Sequence, residues 1–175
     1  MLFNKLPRRP VRLISSEVEK RNAIIKNIFG KIGDRFNIRS PFYCIFGRYI
    51  HVGENFFANF NCIIIDGAKV TIGDNVMFGP NVRLFTGGHP LHHERREFCC
   101  SFPITIGNNV WIGGGAIVNS NITIGDNTVI GSGSVVTKNI PANVIAAGNP
   151  CQVIREITDN DRQYYFKKMK FEDAL

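Results

Sequence analysis

No hydrophobic run in this 175-residue sequence approaches the roughly 20 residues that a transmembrane helix needs. The basic residues near the N-terminus are not followed by an apolar block, so a secretory signal is also missing. The five cysteines offer no disulfide framework, because their number is odd and none shows Cys-x-x-Cys spacing. Cys44 and Cys62 fit core positions, whereas Cys99 and Cys100 are adjacent in a loop. These absences predict a cytoplasmic protein with reduced thiols and no membrane partner.

The charge balance is basic, but its distribution does not indicate nucleic-acid binding. Lys and Arg number 21 against 14 Asp and Glu, which gives a net charge of +7. The basic residues do not form one stripe interleaved with aromatic residues, as a nucleic-acid surface would require. The phosphates of a cofactor would use a few of them. Hydrophobic residues at 44% and charged residues at 20% are ordinary for a single globular domain.

What the sequence does contain is a six-residue repeat. Aliphatic residues recur six positions apart, at Ile106, Ile112, Val118, Ile124, Ile130 and Val136. Neither a helix, with a period of about 3.6, nor a strand, with a period of about 2, requires this spacing. The repeat therefore predicts a parallel β-helix. Most of the 17 glycines fall at one place in the repeat and predict corners with unusual backbone angles.

The repeat is interrupted at two places. Two extra residues enter around Asp66 and Gly67, because the position expected at 70 comes at Ile72. A much larger gap follows, and residues 85–103 leave the coil with three of the four histidines. Insertions in repeat folds gather on a binding face, and long irregular loops in compact folds are usually functional or disordered. The sequence therefore predicts a functional loop over 85–103.

Helical segments are predicted at both ends of the β-helix. Ser16 and Glu19 match a capping box, and apolar residues at helical spacing predict a helix over 16–30 behind an extended arm. A second helix start at Thr158 predicts a short helix to about Lys170 that covers the open end of the coil. We expect one domain, with an N-terminal arm and helix (1–35), an all-β left-handed or right-handed parallel β-helix (36–155) and a C-terminal helix (156–175).

Four blocks of sequence together carry a resemblance to a known family. They are Gly88-His89-Pro90-Leu-His92-His93, Pro103-Ile-Thr-Ile-Gly-Asn-Asn-Val-Trp-Ile-Gly113, Gly131-Ser-Gly-Ser-Val-Val-Thr-Lys-Asn-Ile-Pro141 and Ala147-Gly-Asn-Pro-Cys151. The combination resembles the galactoside/maltose O-acetyltransferases, which are hexapeptide-repeat acyltransferases, over residues 16–166. The resemblance implies a left-handed β-helix of triangular section and a homotrimer with active sites between subunits. It also implies acetyl-CoA as co-substrate, a small sugar-like acceptor and no required metal.

The resemblance assigns the chemistry to His89 and Gly114. A neutral alcohol is a poor nucleophile, and an imidazole can take its proton near working pH, so His89 is the implied general base. The negative charge that develops on the thioester oxygen needs a fixed donor, and the backbone amide of Gly114 is the implied one. The plainer alternatives are a histidine that packs in a loop and a glycine that only turns a corner.

The implied coenzyme A groove contains Ser132, Thr137, Lys138 and Arg155. Hydroxyl and cationic groups suit a cofactor that bears phosphates. Lys138 also fits a solvated surface charge. Gln152 stands where the family carries a second arginine, which weakens the expected phosphate contacts unless another basic residue substitutes.

The acceptor side departs furthest from the family. Asn59 matches a substrate-contacting asparagine but also fits a corner, and Asp66 fits a sugar contact and an ordinary turn equally well. Ile45 replaces a small polar residue, and Gly67 replaces a second acidic one. The relatives' longer N-terminal segment, with a sugar-binding aspartate, does not occur in this sequence, and the loop after His89 is about two residues shorter. The donor chemistry is therefore better supported than the identity of the acceptor.

Three rival functions remain open. His89, His92 and His93 superficially resemble a zinc site, as in a carbonic anhydrase on a similar coil, but they are bunched in one loop. A non-catalytic β-helix scaffold would need no histidine loop. An acetyltransferase for a streptogramin-like antibiotic would share the donor and differ in the acceptor.

Overall fold

The six-residue units form short strands because each unit buries one aliphatic side chain and turns at its end. The computed structural model describes residues 11–13, 18–166 and 169–170. In the regular part, Ile104 pairs in parallel with Ile122, and Trp111 pairs in parallel with Val129, so three units complete one coil. The parallel β-helix predicted from the repeat is confirmed.

Three sheets form the faces of the coil, and we name them A, B and C. Face A contains β1 (Val11–Leu13), β3 (Phe42–Cys44), β6 (Cys62–Ile65), β9 (Arg83–Phe85), β14 (Ile117–Val118) and β17 (Val135–Val136). Face B contains β4 (Ile50–Val52), β7 (Val70–Ile72), β12 (Ile104–Ile106) and β15 (Ile122–Ile124). Face C contains β2 (Phe36–Ile38), β5 (Phe56–Ala58), β8 (Met77–Phe78), β13 (Trp111–Ile112), β16 (Val129–Ile130), β18 (Val144–Ala147) and β19 (Gln152–Glu156). The chain visits B, C and A in turn, so each coil has a B–C, a C–A and an A–B corner.

A continuous column of apolar side chains fills the coil. Phe42, Phe56 and Phe78 are the largest of its buried side chains, and the rings of Phe56 and Phe78 meet edge to face at 5.1 Å. The column runs from Ile25 near the N-terminal end to Cys151 near the other. Burial of the repeated aliphatic position therefore holds successive coils in one register.

The B–C corner carries a ladder of asparagine side chains. It consists of Asn55, Asn75, Asn109, Asn127 and Asn143, and all five have positive φ angles. Each side-chain nitrogen donates to the side-chain oxygen of the next asparagine, at 2.8, 3.0, 2.9 and 2.8 Å in chain order. Asparagine is one of the few residues with a side chain that adopts this left-handed conformation readily.

The glycines before these asparagines serve a different purpose from the one predicted. Positive φ occurs at four described glycines, whereas eight described asparagines adopt it. A side chain on Gly53 or Gly107 would collide with the carboxylate of Asp74 or Asp126 in the next coil. The expectation of unusual glycine angles is therefore wrong at these positions, where close approach of the next coil excludes a side chain.

The two-residue insertion is confirmed and has an unexpected counterpart. The central residues of β6 and β7, Ile63 and Thr71, are eight positions apart, whereas Ile117 and Thr123 at the same A–B corner are six apart. Tyr43 of β3 and His51 of β4 are also eight apart. Two neighbouring coils thus bulge at the A–B corner.

The N-terminal helix is present over the part of its predicted range that the structure describes. Helix α1 spans Val18–Ile28 and buries Ile25 against the first coil. The predicted capping residue Ser16 lies outside the described residues, as does most of the predicted arm, of which β1 pairs antiparallel with β3. No helix in the described part of the chain has both the length and the apolar character needed to cross a membrane.

The predicted C-terminal helix is wrong beyond its first turn. Thr158 and Asp161 form a capping box, but the turn is a short 3₁₀ helix over Asp159–Arg162. Two antiparallel strands follow, β20 (Tyr164–Phe166) and β21 (Met169–Lys170). Consecutive aromatic residues favour a strand over a helix, which explains why the helical start does not propagate.

Candidate functional site

The excursion leaves the coil through a small hairpin at the A–B corner. Strand β10 (Gly87–Gly88) pairs antiparallel with β11 (Cys100–Ser101). A short 3₁₀ helix over His93–Arg95 forms the tip. The predicted excursion is thus confirmed, and the hairpin places His89 directly after β10.

His89 is held by two backbone carbonyl groups of its own loop. Its ring Nδ1 lies 2.8 Å from the Arg96 carbonyl oxygen and 2.9 Å from that of Phe98. Because carbonyl oxygens only accept hydrogen bonds, Nδ1 must carry the proton. The Nε2 atom is then left with its lone pair. The ring is exposed, so this geometry suits a general base.

The other histidines do not join His89 in a metal site. The rings of His92 and His93 stack on each other at 4.8 Å, and both are exposed. His51 lies on face B, where burial is the main cause that lowers its pKa. Within the described residues, no group of three His, Cys, Asp or Glu side chains lies close enough to hold a metal ion.

Gly114 lies at the C–A corner with its amide unengaged. Its carbonyl oxygen accepts a hydrogen bond from Gly133 at 2.9 Å, and the following amide, of Gly115, donates to Pro80 at 2.8 Å. Among the described residues, nothing accepts a hydrogen bond from the Gly114 amide itself. A Cβ atom on Gly114 would stand 3.2 Å from two atoms of Pro80. A main-chain donor in this position fits the implied oxyanion role.

Ser132, Thr137 and Lys138 border face A on its two sides. Ser132 follows Gly114 by one coil at the C–A corner, and all three side chains are exposed. Thr137 and Lys138 follow β17 at the A–B corner. Four residues separate Ser132 from Thr137, and they include the corner at Gly133, whose φ is 72°, and strand β17. The outward side chain of Val135 lies between them and offers an apolar floor.

Arg155 lies apart from these residues, on β19 of face C. Its guanidinium group forms two hydrogen bonds with Asp161, at 2.8 and 2.7 Å. This pairing raises the pKa of Arg155 and holds the pKa of Asp161 far below its usual range. Within one chain Arg155 and Lys138 thus lie at different faces, and the Arg155 charge is already balanced.

The two acceptor candidates have different surroundings. Asn59 follows β5 at the C–A corner, the corner that also holds Gly114, and its side-chain oxygen accepts from the Phe60 amide at 2.9 Å. Asp66 is fully buried, and one carboxylate oxygen accepts from the amides of Ile45 and Phe46, both at 2.9 Å. Asp66 thus ties together the two bulges through one oxygen. Its other carboxylate oxygen is buried without a hydrogen-bond partner among the described residues, and its sugar contact stays a prediction. Burial, reinforced by Asp66, also raises the pKa of Cys44 to about 12.

The residues that sequence reasoning missed act through their main chains. Arg96 and Phe98 orient His89 through carbonyl oxygens, which leave no trace in the residue type. The second bulge at Ile45 and Phe46 is detectable from the eight-residue distance between Tyr43 and His51. That spacing was the available signal for a partner of Asp66.

Comparison with known proteins identifies close relatives along most of the chain. The sequence model of the bacterial transferase hexapeptide family (six repeats) matches residues 103–138. A galactoside O-acetyltransferase of Escherichia coli (strain K12) is 56% identical over 162 residues, which cover 91% of this chain and 80% of that protein. A galactoside O-acetyltransferase of Lactococcus lactis subsp. lactis (strain IL1403) is 41% identical over 153 residues, covering 86% and 74%.

Solved structures give the same result. A galactoside acetyltransferase in complex with coenzyme A superposes with a TM-score of 0.85 at 56% identity, covering 90% of this chain and 80% of that one. A maltose O-acetyltransferase from Clostridium difficile 630 superposes with a TM-score of 0.81 at 51% identity, covering 83% and 79%. The similarity therefore extends through the excursion and is not limited to the repeats.

Proposed function

Because the chain belongs to the galactoside and maltose O-acetyltransferases of the hexapeptide-repeat family, we propose that it transfers acetyl from acetyl-CoA to a sugar or glycoside hydroxyl, with His89 as general base. Its fold is the left-handed parallel β-helix of that family, and it is an acetyl-CoA-dependent O-acetyltransferase. The observation that supports the proposed base is the pair of carbonyl oxygens at His89 Nδ1.

His89 performs the proton transfer in this proposal. Nε2 accepts the proton of the acceptor hydroxyl as its oxygen attacks the acetyl carbonyl carbon. The Arg96 and Phe98 carbonyl oxygens stabilise the imidazolium that forms, because both accept from its Nδ1–H. The same proton can return from Nε2 to the departing thiolate, so His89 ends the reaction neutral.

The donor site is proposed to lie along face A between its two corners. Acetyl-CoA supplies an activated acetyl group as a thioester. The free Gly114 amide donates to the carbonyl oxygen as negative charge develops there. The Ser132 and Thr137 hydroxyls and the Lys138 ammonium group are exposed and would bind the polar parts of the coenzyme. Arg155 would join them only if the coenzyme displaced Asp161.

A homotrimer would bring the separated residues together. His89 and Lys138 lie at the A–B corner, whereas Gly114 and Asn59 lie at the C–A corner of the same chain. A complete site would form where the A–B corner of one subunit faces the C–A corner of its neighbour. A head-to-tail contact of this kind closes into a ring when its rotation matches the symmetry.

The outward side chains of the three faces support this assembly. Face B presents the polar row His51, Thr71, Thr105 and Thr123. Face C presents the apolar row Phe57, Met77, Trp111, Val129 and Ile145, in which Met77 is 49% and Trp111 50% exposed. An exposed apolar row of this length indicates an interaction surface. The outward row of face A contains Ile63, Ile117 and Val135 but also the exposed Arg83 between the first two, so face C is the most apolar of the three.

The acceptor is proposed to be sugar-like, with a streptogramin-like antibiotic as the second candidate. Asn59 remains a candidate contact because its side-chain nitrogen donates no hydrogen bond to another described residue and is therefore available to a ligand. A streptogramin-like antibiotic is the second candidate because Ile45 and Gly67 make the bulges at the A–B corner less polar than in the family. A non-catalytic scaffold would leave the ordered His89 geometry without a use.

A panel of acceptors tests the proposal. Galactosides, maltose, aminosugars and a streptogramin are each incubated with acetyl-CoA, and release of the coenzyme A thiol is followed. We expect release that depends on a sugar acceptor and a product acetylated on oxygen, as identified by mass spectrometry. Release with the streptogramin alone would favour the antibiotic enzyme. Failure of every acceptor in the assembled protein would support the scaffold.

A further inference from the structure

We propose that Lys31, Arg48 and Lys69 form an anion-binding site at the N-terminal end of face B, and that this site takes the carboxylate or phosphate group of an acidic sugar acceptor. The assignment to an acceptor rests on the proposed function, which supplies a sugar-like molecule. The site itself rests on the arrangement of the three cationic side chains.

Two lysine side chains flank His51 on face B. Lys31 forms a parallel bridge with His51, and His51 pairs in register with Thr71, which follows Lys69 by two residues. Lys69 and Thr71 lie on the same side of the chain, because side chains alternate along a strand. Burial is the main cause that lowers the pKa of His51, and the charges of Lys69 and Lys31 lower it further. Both ammonium groups therefore act on one imidazole and belong to one region of the surface.

The third cation, Arg48, is held by two aromatic rings of the first bulge. Its guanidinium carbon stands 5.0 Å from the ring centre of Phe46 and 5.0 Å from that of Tyr49. The two rings meet edge to face at 5.7 Å, and Arg48 Nη2 donates to the Tyr49 hydroxyl at 3.4 Å. Cation–π contacts of this kind fix the guanidinium group before a ligand arrives. Binding an anion therefore costs Arg48 less side-chain freedom than it would cost an unsupported arginine.

The glycine before Lys31 connects the Arg48 segment to His51. A Cβ atom on Gly30 would collide with the carbonyl oxygen of Arg48 and would stand 2.8 Å from His51 Nε2. The main chain of Arg48, the imidazole ring and the start of the Lys31 bridge thus meet at one point. The bare glycine lets the two segments approach this closely.

Hydrogen bonds between coils place Lys69 beside the first bulge and at the base of the excursion. The Val70 amide donates to the Tyr49 carbonyl oxygen at 2.9 Å, so Lys69 comes opposite Tyr49 in the next coil. The Lys69 carbonyl oxygen accepts from the amide of Ile104, at 3.1 Å, directly after the excursion ends. The cations therefore lie next to the place where the segment that carries His89 returns to the coil.

The three cations have no carboxylate partner in the described part of the chain. Their side chains are exposed, and the ion pairs found between described residues involve other groups. Asp66 is the carboxylate of the same corner, but it is fully buried and accepts from amides of the first bulge. An incoming anion would thus meet free donors and would not have to break an ion pair first.

An acidic sugar offers the groups that this surface can bind. The planar guanidinium group of Arg48 can donate to two oxygens of one carboxylate or phosphate, whereas the lysines add compact charges. The half-buried Tyr49 ring offers an apolar surface to the carbon side of a sugar ring. A neutral sugar would leave the cations hydrated and would gain no charged contact. The site therefore favours a uronic acid or a sugar phosphate over a neutral galactoside.

Anion binding is measured first, in the absence of turnover. Inorganic phosphate, galacturonate, galactose 6-phosphate and neutral galactose are each titrated into the full chain at fixed pH, and the NMR signals of the His51 ring are followed. We expect saturable shifts with the three anions and none with galactose. The double variant Arg48→Gln/Lys69→Gln should need at least about tenfold more anion for the same shift, because charged hydrogen bonds are lost.

Arg39→Gln is the matched control for this variant. Arg39 is also an exposed arginine over an aromatic ring, with its guanidinium carbon 5.5 Å from the ring centre of Phe57, but it lies beside face C. Arg39→Gln should bind the anions as the wild type does. All variants should unfold at the wild-type temperature, since the altered side chains are exposed. Equal anion binding by the double variant and the wild type would overturn the site.

Acetyl transfer then tests the link to the acceptor. The KM for galacturonate or galactose 6-phosphate should be lower than the KM for a neutral galactoside. It should rise at least about tenfold in the double variant while kcat changes little, because the lost contacts bind the acceptor without touching the reacting atoms. The KM for the neutral galactoside should not change. The acid with the lower KM shows whether the site prefers a carboxylate or a phosphate.

The outcomes separate the site from the proposed function. Anion binding that depends on Arg48 and Lys69, in a protein that acetylates only neutral sugars, overturns the acidic acceptor and supports the site. The same binding in a protein that acetylates no sugar supports the site and contradicts the proposed function. Unchanged His51 signals in a protein that acetylates galactosides overturn the anion site and leave the proposed function intact.

Discussion

The coil from residue 104 to residue 150 and the excursion over residues 85–103 are held by different kinds of hydrogen bond. In the coil, each bond recurs at the same position in the next turn, as in the asparagine ladder and the parallel strands. In the excursion, the bonds that hold His89 occur once and end on main-chain oxygens. Repetition thus supplies stability in the coil, whereas the site depends on a segment with no repeat to support it.

The largest expected effect concerns the excursion. His89→Ala should lower turnover by about 10² to 10⁴-fold, because the acceptor hydroxyl loses its base. Circular dichroism and thermal unfolding should stay unchanged, since the side chain is exposed. His93→Ala is the matched control in the same loop, and it should keep most of the activity. Undiminished thiol release by His89→Ala would refute the assignment of the base.

The next effect concerns the coil and is one of stability. Phe78→Ala should lower the free energy of unfolding by about 3 to 5 kcal/mol, because it leaves a cavity beside Phe56 in the closed core. Leu91→Ala in the excursion, where the side chain is 94% exposed, should change it by less than about 0.5 kcal/mol. Urea unfolding of both variants measures the contrast. A similar loss of unfolding free energy in Phe78→Ala and Leu91→Ala would show that the excursion stabilises the fold as much as the core does.

A smaller effect tests whether the ladder stabilises the B–C corner. Asn127→Ala removes two side-chain hydrogen bonds and places alanine at a φ of 55°, so we expect a loss of about 2 kcal/mol. Asn127→Gly removes the bonds but tolerates the angle, and it should lose about half as much. Asn121→Ala is a second control, since Asn121 has a φ of 62° outside the ladder. Equal midpoints for Asn127→Ala and Asn121→Ala would show that the ladder bonds contribute nothing.

The smallest effect lies outside both regions, at the pair formed by Arg155 and Asp161. The folded state depresses the pKa of Asp161, chiefly through Arg155, so the pair stabilises the protein above the ordinary carboxyl pKa and less as pH falls below it. Asp161→Asn should therefore unfold at a lower temperature than wild type at neutral pH, by a margin that narrows in acid. Asp159→Asn, at a highly exposed pair, should show no such margin. A margin that stays constant with pH would contradict the depressed pKa.

The repeating parts of the fold were predictable in register, whereas the parts that occur once were predictable only in part: helix α1 and the excursion were predicted, and the C-terminal strands were not. The spacing of Ile106, Ile112 and Val118 determined strand positions because an equivalent side chain must be buried in every coil. The C-terminal segment occurs once, so a helical start at Thr158 gave no information about the strand-forming aromatic residues after it. Local signals begin an element, but only packing decides how far it continues.

The same distinction holds for the site. His89 was proposed as the base from its motif, and that role stays a prediction, whereas its hydrogen-bond partners are carbonyl oxygens that any residue could supply. Asp66 was ambiguous because a carboxylate serves a turn and a ligand equally well. The folded chain shows the turn role through its hydrogen bonds to two amides, and the ligand role stays a prediction. Main-chain partners and burial are properties of the folded chain, which residue types alone do not encode.

The asparagine ladder gives the molecule a direction. Every amide nitrogen in it donates toward the C-terminal coil, so Asn55 is the first donor and Asn143 the last acceptor. A stack of this kind can lengthen by whole turns, because an inserted coil would accept from the one before it and donate to the one after it. Evolution can thus lengthen or shorten the coil by whole turns while the B–C corner keeps its hydrogen bonds. An insertion of a few residues can occur only at a corner that is free to bulge.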